Sequence, residues 1–343
     1  MSKARPILKR PLRRIAAIVA ALALAVPALA PAEDLVSSAH AVAVRSDIVY
    51  AQGTVGASSG KPHPRDLRLD LYQPLEAGQP MAGRPAVVLA FGGAFLRGAK
   101  GPVHFEEDGA NDSSMADWCG VLARAGYVCL AIEYRLATED PALAHQPDPA
   151  QVMPAAMLTN PVLMGRIEVV RGRMGLPPLT AETRGQFLNT VFAAAEDMSA
   201  AVAYARTNAA QLGIDPARIA VGGFSAGAVT AANLAYGAGV PVRAVVSFSG
   251  GAGGYDLGKT AKPGMPPALM VMGQNDLPGV MLANRAAIGA LRHAGVPLDT
   301  AWVPGFGHFY PMGAVTLGAD MTRASLEARV LGFLGRTLAD GPG

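Results

Sequence analysis

The stretch "RIAVGGFSAGA", residues 218–228, reads as an apolar strand, a tight turn centred on Ser225, and the start of an Ala-rich helix. An apolar run this short and continuous suits a strand buried on both faces. Gly223 and Gly227 fit the G-x-S-x-G pattern, in which small residues flank a serine held on a sharp strand-to-helix turn with its hydroxyl exposed. The helix that follows supplies the N–H of Ala226 and the positive end of a dipole, both of which favour developing negative charge beside that hydroxyl.

Working outward from this turn, residues 85–93, 127–135, 242–250 and 267–276 are further apolar runs, and residues 67–74 alternate as a strand with one wet face does. Helix-length segments lie between them at 114–125, 183–212, 226–236, 281–294 and 323–338. Strand alternating with helix predicts an α/β fold, a mostly parallel sheet with helices on both faces. The chain is 51% hydrophobic and 16% charged, which fits buried parallel strands and excludes disorder. Neither an internal repeat nor a linker divides residues 42–343, so one domain is expected there.

Residues 137–189 do not fit a minimal sheet. They open with a Pro-rich loop and then carry Met153, Met157, Met164 and Met174 among apolar residues. A connection of this length usually has a task of its own. It is a candidate cap or lid insertion, with ordinary peripheral packing the other reading. The helix after it is expected to start at Thr183, with Gln186 completing a capping box, and to bury Phe187, Val191, Ala194, Met198, Val202 and Ala205.

The first 32 residues have the plan of an export signal: six Lys or Arg, an apolar run, then small residues. Cleavage after Ala32 or after Ala41 satisfies the A-x-A rule. The apolar run is shorter than the roughly 20 residues a spanning helix needs, so no stable membrane insertion is expected after cleavage, and the protein is expected to be periplasmic or secreted. Without the leader, 23 basic residues face 26 acidic ones. The positive charge of the whole chain is therefore no argument for a nucleic-acid partner. Cys119 and Cys129, on an expected helix and strand, form a disulfide in an oxidising compartment or are two buried thiols; the spacing leaves both open.

A second motif competes for attention. "GAGGYDLGKT", residues 251–260, satisfies the phosphate-loop pattern G-x-x-x-x-G-K-[ST]. That loop works only where a helix starts at its Lys-Thr end, and here Pro263, Pro266 and Pro267 follow. The match is a coincidence of a Gly-rich chain, and no cofactor is expected. The six histidines and two cysteines show no metal-ligand spacing.

An exposed serine at such a turn needs a base, an acid and a second source of N–H donors. His308 stands in a Gly-rich loop after the strand "DTAWVPG" and follows the serine in sequence. His293 also follows it, but late in an expected helix where a histidine caps carbonyls. Asp276 ends the run 267–276; Asp256, one strand earlier, is its rival. Gly92 and Gly93, just after the run at 85–90, let the N–H groups of Gly93 and Ala94 turn inward.

The ordered set "FGGAFLRG", "GYVCLAIEYRL", "GIDPARIAVGGFSAGA", "GQND" and "GFGH" resembles the α/β-hydrolase superfamily, and within it the carboxylesterases and lipases with an HGG-type oxyanion loop. The resemblance spans about residues 67–338. It implies an eight-stranded sheet, Ser225 as nucleophile, His308 as base, Asp276 as acid, and Gly93, Ala94 and Ala226 as oxyanion amides. Phe91 stands where the family often has His, and Ala94 where it often has a third Gly. The implied activity is hydrolysis of small-molecule or polymeric carboxylic esters through an acyl-enzyme. Peptidases and amidases share this machinery, and a non-catalytic binding module shares the scaffold, so both stay open.

Overall fold

The computed structural model describes Met1 and residues 39–107, 109–158 and 160–339; apart from Met1, the leader expected at 1–32 lies outside the described residues. Residues 38–343 form one compact unit. Its strands in chain order are β1 (Ala41–Val55), β2 (His63–Glu76), β3 (Gln79–Pro80), β4 (Arg84–Ala90), β5 (Glu106–Glu107), β6 (Ala110–Asn111) and β7 (Val128–Ile132). There follow β8 (Ile214–Phe224), β9 (Ala244–Phe248), β10 (Ala268–Gly273), β11 (Leu298–Val303), β12 (Val315–Gly318) and β13 (Arg323–Ser325). The α-helices are α1 (Met115–Arg124), α2 (Ala155–Leu158), α3 (Pro161–Arg173), α4 (Ala181–Thr207) and α5 (Ala209–Leu212). The remaining ones are α6 (Ala226–Ala232), α7 (Leu257–Thr260), α8 (Pro278–His293) and α9 (Leu326–Thr337).

Among the described residues the main sheet has eleven strands, in the order β1-β2-β7-β4-β8-β9-β10-β11-β12-β13, with β3 paired to β2; β5 and β6 form a separate hairpin. The six strands from β7 to β11 are parallel, and the pairs at both ends are antiparallel. The fold class stands as expected, but the count of eight strands is corrected to eleven. The additions sit at the margins, where apolar patterning is weakest. β3, β12 and β13 are two to four residues long, and β1 buries only two of its fifteen residues. By contrast every residue of β7, β9 and β10 is buried, so both faces of the sheet centre are covered.

Sheet order explains where a site can form. From β4 the chain crosses by α1 to β7 on one side; from β8 it crosses by α6 to β9 on the other. β4 and β8 are neighbours from which the connections diverge, and the crevice beyond their carboxyl ends is the switch point where open α/β sheets bind ligands. Gly223 and Gly227 allow the approach this requires. A Cβ at either would stand 2.3 and 2.0 Å from the Ala90 carbonyl at the end of β4.

Helix boundaries moved for identifiable reasons. α4 starts at Ala181, not Thr183, because Thr180 is its N-cap: Thr180 Oγ1 accepts from Thr183 N and Thr183 Oγ1 from Thr180 N. Gln186, expected in that box, instead donates to Ser58 Oγ. Its expected apolar face is buried throughout. The helix expected from 323 begins at Leu326, since Arg323–Ser325 pair with β12. α7 is a single turn capped by Asp256 that ends at Thr260, so no helix starts at the Lys-Thr end of the phosphate-loop match. Cys119 of α1 and Cys129 of β7 are joined in a buried disulfide.

Within 137–189 the chain forms α2 and α3 and leads into α4. Asn160 caps α3 by accepting from Val162 N, with Pro161 at the first helical position. α3 lies against the start of α8, where a Cβ on Gly279 would be 2.5 Å from the Val162 carbonyl.

Candidate active site

Ser225 sits at the junction of β8 and α6 with φ 52° and ψ −112°, a conformation outside the relaxed regions for an L-residue. Its N–H donates to the Phe248 carbonyl of β9 at 2.8 Å, and its carbonyl accepts from Val229 N at 3.0 Å, so the turn is held from both sides. Ser225 Oγ lies 3.0 Å from His308 Nε2, and His308 Nδ1 lies 2.7 Å from Asp276 Oδ1. Both partners are buried, His308 at 6% and Asp276 at 4% exposure.

Asp276 is held by more than the imidazole. Leu277 N donates to Oδ1 at 2.7 Å and the Ser249 hydroxyl donates to Oδ2 at 2.5 Å. The Tyr310 hydroxyl lies 2.9 Å from Ser249 Oγ and 3.2 Å from the Val271 carbonyl. Burial, and next the charge of Asp276, push the Tyr310 pKa well above its usual value, so this phenol stays a donor. Ser249 and Tyr310 were not anticipated. The signal for them was slight: a serine at the end of an apolar strand run, and a tyrosine two residues after His308.

The rival candidates are elsewhere. Asp256 caps α7 through Gly258 N and pairs with Lys259, and His293 ends α8 as an exposed residue. After β4, Gly93, Ala94 and Phe95 take φ values of 118°, 60° and 59°. Three successive positive values fold the loop back on itself, with the Gly93 carbonyl accepting from Leu96 N and Arg97 N. A side chain at Gly93 would stand 1.9 Å from the Arg97 carbonyl. Phe91 is buried and stacks on Tyr134, whose hydroxyl donates to the Phe91 carbonyl. It braces the loop from beneath by packing rather than by a polar side chain.

Two spaces meet at Ser225. The larger is a cavity of about 750 Å³, walled by Ala94, Ser225 and Ala226 on the sheet side and by Met153, α3 and the start of α4 opposite. Of the four methionines in the insertion, Met153 and Met164 line it, whereas Met157 and Met174 are exposed. Residues 251–254 of the phosphate-loop match also line it. The smaller is a niche of about 10 Å³ bounded by Gly93, Ala94, Arg97, Arg166, Ser225 and His308, with Phe105, Val170, Phe224 and Phe309 completing its wall. Beside it Asp112 is buried, and burial, opposed by the Phe105 N–H, raises its pKa to about 6. Among the described residues no group of three or more His, Cys, Asp or Glu could hold a metal ion, and no helix is long and apolar enough to cross a membrane.

The sheet order and the crevice with its strained serine define the α/β-hydrolase fold. Within it, the BD-FAE family model matches residues 182–245, which run from α4 through the serine turn into β9. The solved structures it is similar to include esterase 2 of Thermogutta terrifontis phosphorylated by paraoxon, at 19% identity and a TM-score of 0.51 over 87% of this chain and 96% of that one. The same esterase phosphonylated by cyclosarin aligns at 18% identity and 0.51 over 87% and 96%, and its native form at 18% and 0.50 over 89% and 95%. At this identity the likeness is one of fold. No curated protein sequence matches the chain.

Proposed function

We propose that the protein is an exported serine hydrolase that cleaves carboxylic esters through an acyl-enzyme, with Ser225, His308 and Asp276 as its triad. The observation that carries this reading is the continuous hydrogen-bonded line from Ser225 Oγ through both imidazole nitrogens to Asp276 Oδ1, ending at a cavity. The strained serine turn, the 182–245 match and the esterase neighbours support it.

In this mechanism His308 Nε2 takes the hydroxyl proton as Ser225 Oγ bonds to the ester carbonyl carbon. The negative charge moves to the carbonyl oxygen, which the N–H groups of Gly93, Ala94 and Ala226 receive as an HGG-like oxyanion hole. Asp276 holds Nδ1–H and steadies the imidazolium. As the carbon–oxygen bond of the alcohol breaks, His308 returns the proton to the departing oxygen; water then enters by the reverse course and releases the acid. The apolar walls supplied by Met153 and α3 act as a cap over the acyl chain.

Export rests on the leader-like order of residues 1–32, and the Cys119–Cys129 disulfide suits the oxidising compartment it implies. β1 begins at Ala41, so cleavage after Ala32 leaves that strand whole.

The test is a fluorophosphonate probe with mass-spectrometric mapping, alongside p-nitrophenyl esters of graded chain length. Modification at Ser225, with turnover abolished in Ser225→Ala and its circular dichroism unchanged, is expected. Wild-type turnover in that variant sinks the assignment.

A further inference from the structure

The niche beside His308 carries more positive charge than the fold requires. Arg97 follows the oxyanion loop, and its guanidinium lies 4.9 Å from the Phe105 ring centroid; that of Arg166, on α3, lies 5.7 Å from the Phe309 ring centroid. Arg166 and Arg173 share a single carboxylate, Glu107, at 2.7 and 2.9 Å. Among the described residues Arg97 has no ion pair, and its Nε is buried without a hydrogen-bond partner. Burial, reinforced by the charges of Arg166 and Arg173, pushes the Arg97 pKa down. The guanidinium is half-buried, with its Nε shut off from any partner and two other guanidinium charges close by, an arrangement that an anion would complete.

The position of the niche says which part of a substrate meets it. The leaving oxygen must take its proton from His308 Nε2, so the alcohol portion lies on the His308 side of Ser225. His308 lines the niche and not the larger cavity. The Arg97 guanidinium, over the Phe105 ring and without an ion pair among the described residues, offers its N–H edge to a planar carboxylate, and Arg166, whose Nη1 is held by Glu107, offers its remaining N–H groups.

We propose that Arg97 and Arg166 bind a carboxylate on the alcohol portion of the ester, so that the preferred substrates are esters whose leaving group is itself an acid. This inference rests on the ester-hydrolase reading above. It adds the leaving-group class to it and assigns the two arginines to specificity rather than to chemistry.

The experiment compares 4-acetoxybenzoate, anionic on the leaving side, with its methyl ester, which carries the same acetyl group and no charge. The ratio of their kcat/KM values is read on one preparation of the full chain. The wild-type ratio is expected above about tenfold in favour of the anion, the scale of one charge-assisted hydrogen bond. It is expected to fall toward about one in Arg97→Met and, independently, in Arg166→Gln. Phenyl hemisuccinate, charged on the acyl side, is expected to show no advantage over phenyl butyrate. Turnover of the methyl ester with a wild-type ratio at or below one, or a ratio unmoved in both variants, overturns the carboxylate site and leaves the ester hydrolase standing. No turnover of any ester, with no probe on Ser225, overturns both.

Discussion

Asp276 illustrates how much of a buried carboxylate's setting lies in groups that carry no motif. Its two oxygens accept from Leu277 N, the Ser249 hydroxyl and the imidazole. Removing the hydroxyl in Ser249→Ala costs a hydrogen bond to a charged group, worth about 1.5–3 kcal/mol. Because Ser249 acts through Asp276, kcat on p-nitrophenyl acetate is expected to fall by about tenfold or more while KM holds; a rise in KM alone would contradict that role. Asp112 offers a test by pH. Its folded-state pKa of about 6 stands above the ordinary carboxyl value of 3.8, so its contribution to stability is fully present below 3.8 and is lost as pH rises through about 6. Asp112→Asn is therefore expected to gain little in Tm at pH 4 and more at pH 7.5, checked by melting curves across that range. At this scale the sequence was most legible where the proposed chemistry demands a fixed residue type: Ser225, Asp276 and His308 stand out by order and loop setting, and the structure brings them together. Ser249, Tyr310 and Arg166 do not stand out, because what they contribute depends on which strand ends and helices become neighbours.

The element that decides the shape of the larger cavity is α3, and its seat on α8 is a backbone contact. Gly279→Ala would place a methyl 2.5 Å from the Val162 carbonyl, so α3 must shift. The expected cost is about 1–3 kcal/mol of stability, seen as a lower Tm. A change in the octanoate-to-acetate ratio of p-nitrophenyl ester turnover is expected to accompany it. Gly289 in the same helix has nothing within 4 Å of such a methyl. There the same substitution is expected to raise stability by about 0.5–1 kcal/mol. Opposite signs in the two melting curves separate packing from helix propensity; a common sign would refute the contact. Helix positions were readable from apolar spacing, and α4 buries the face its pattern predicts. Its start lies two residues before the one the Thr183–Gln186 spacing predicts, because Thr180 and Thr183 satisfy each other reciprocally, a pairing that a Thr-to-Gln rule does not detect.

For the whole molecule, the central strands announced themselves through continuous apolar runs, whereas β1, β12 and β13 are edge pieces whose half-exposed residues resemble loop. The disulfide closes a short loop between α1 and β7. In the chain-entropy view a loop of that size is worth about 2–3 kcal/mol. Replacing both cysteines by alanine is expected to lower Tm by about 5 °C, and an unchanged Tm would show that the bond adds nothing.

Ser225 follows β8, Asp276 follows β10 and His308 follows β11, so the hydrogen-bonded line joins residues up to 83 positions apart. Until the crossover from β10 to β11 docks, Ser225 has no imidazole beside it. Recovery of ester turnover after dilution from denaturant would therefore report the docking of β11 beside β10 rather than the return of helical signal alone.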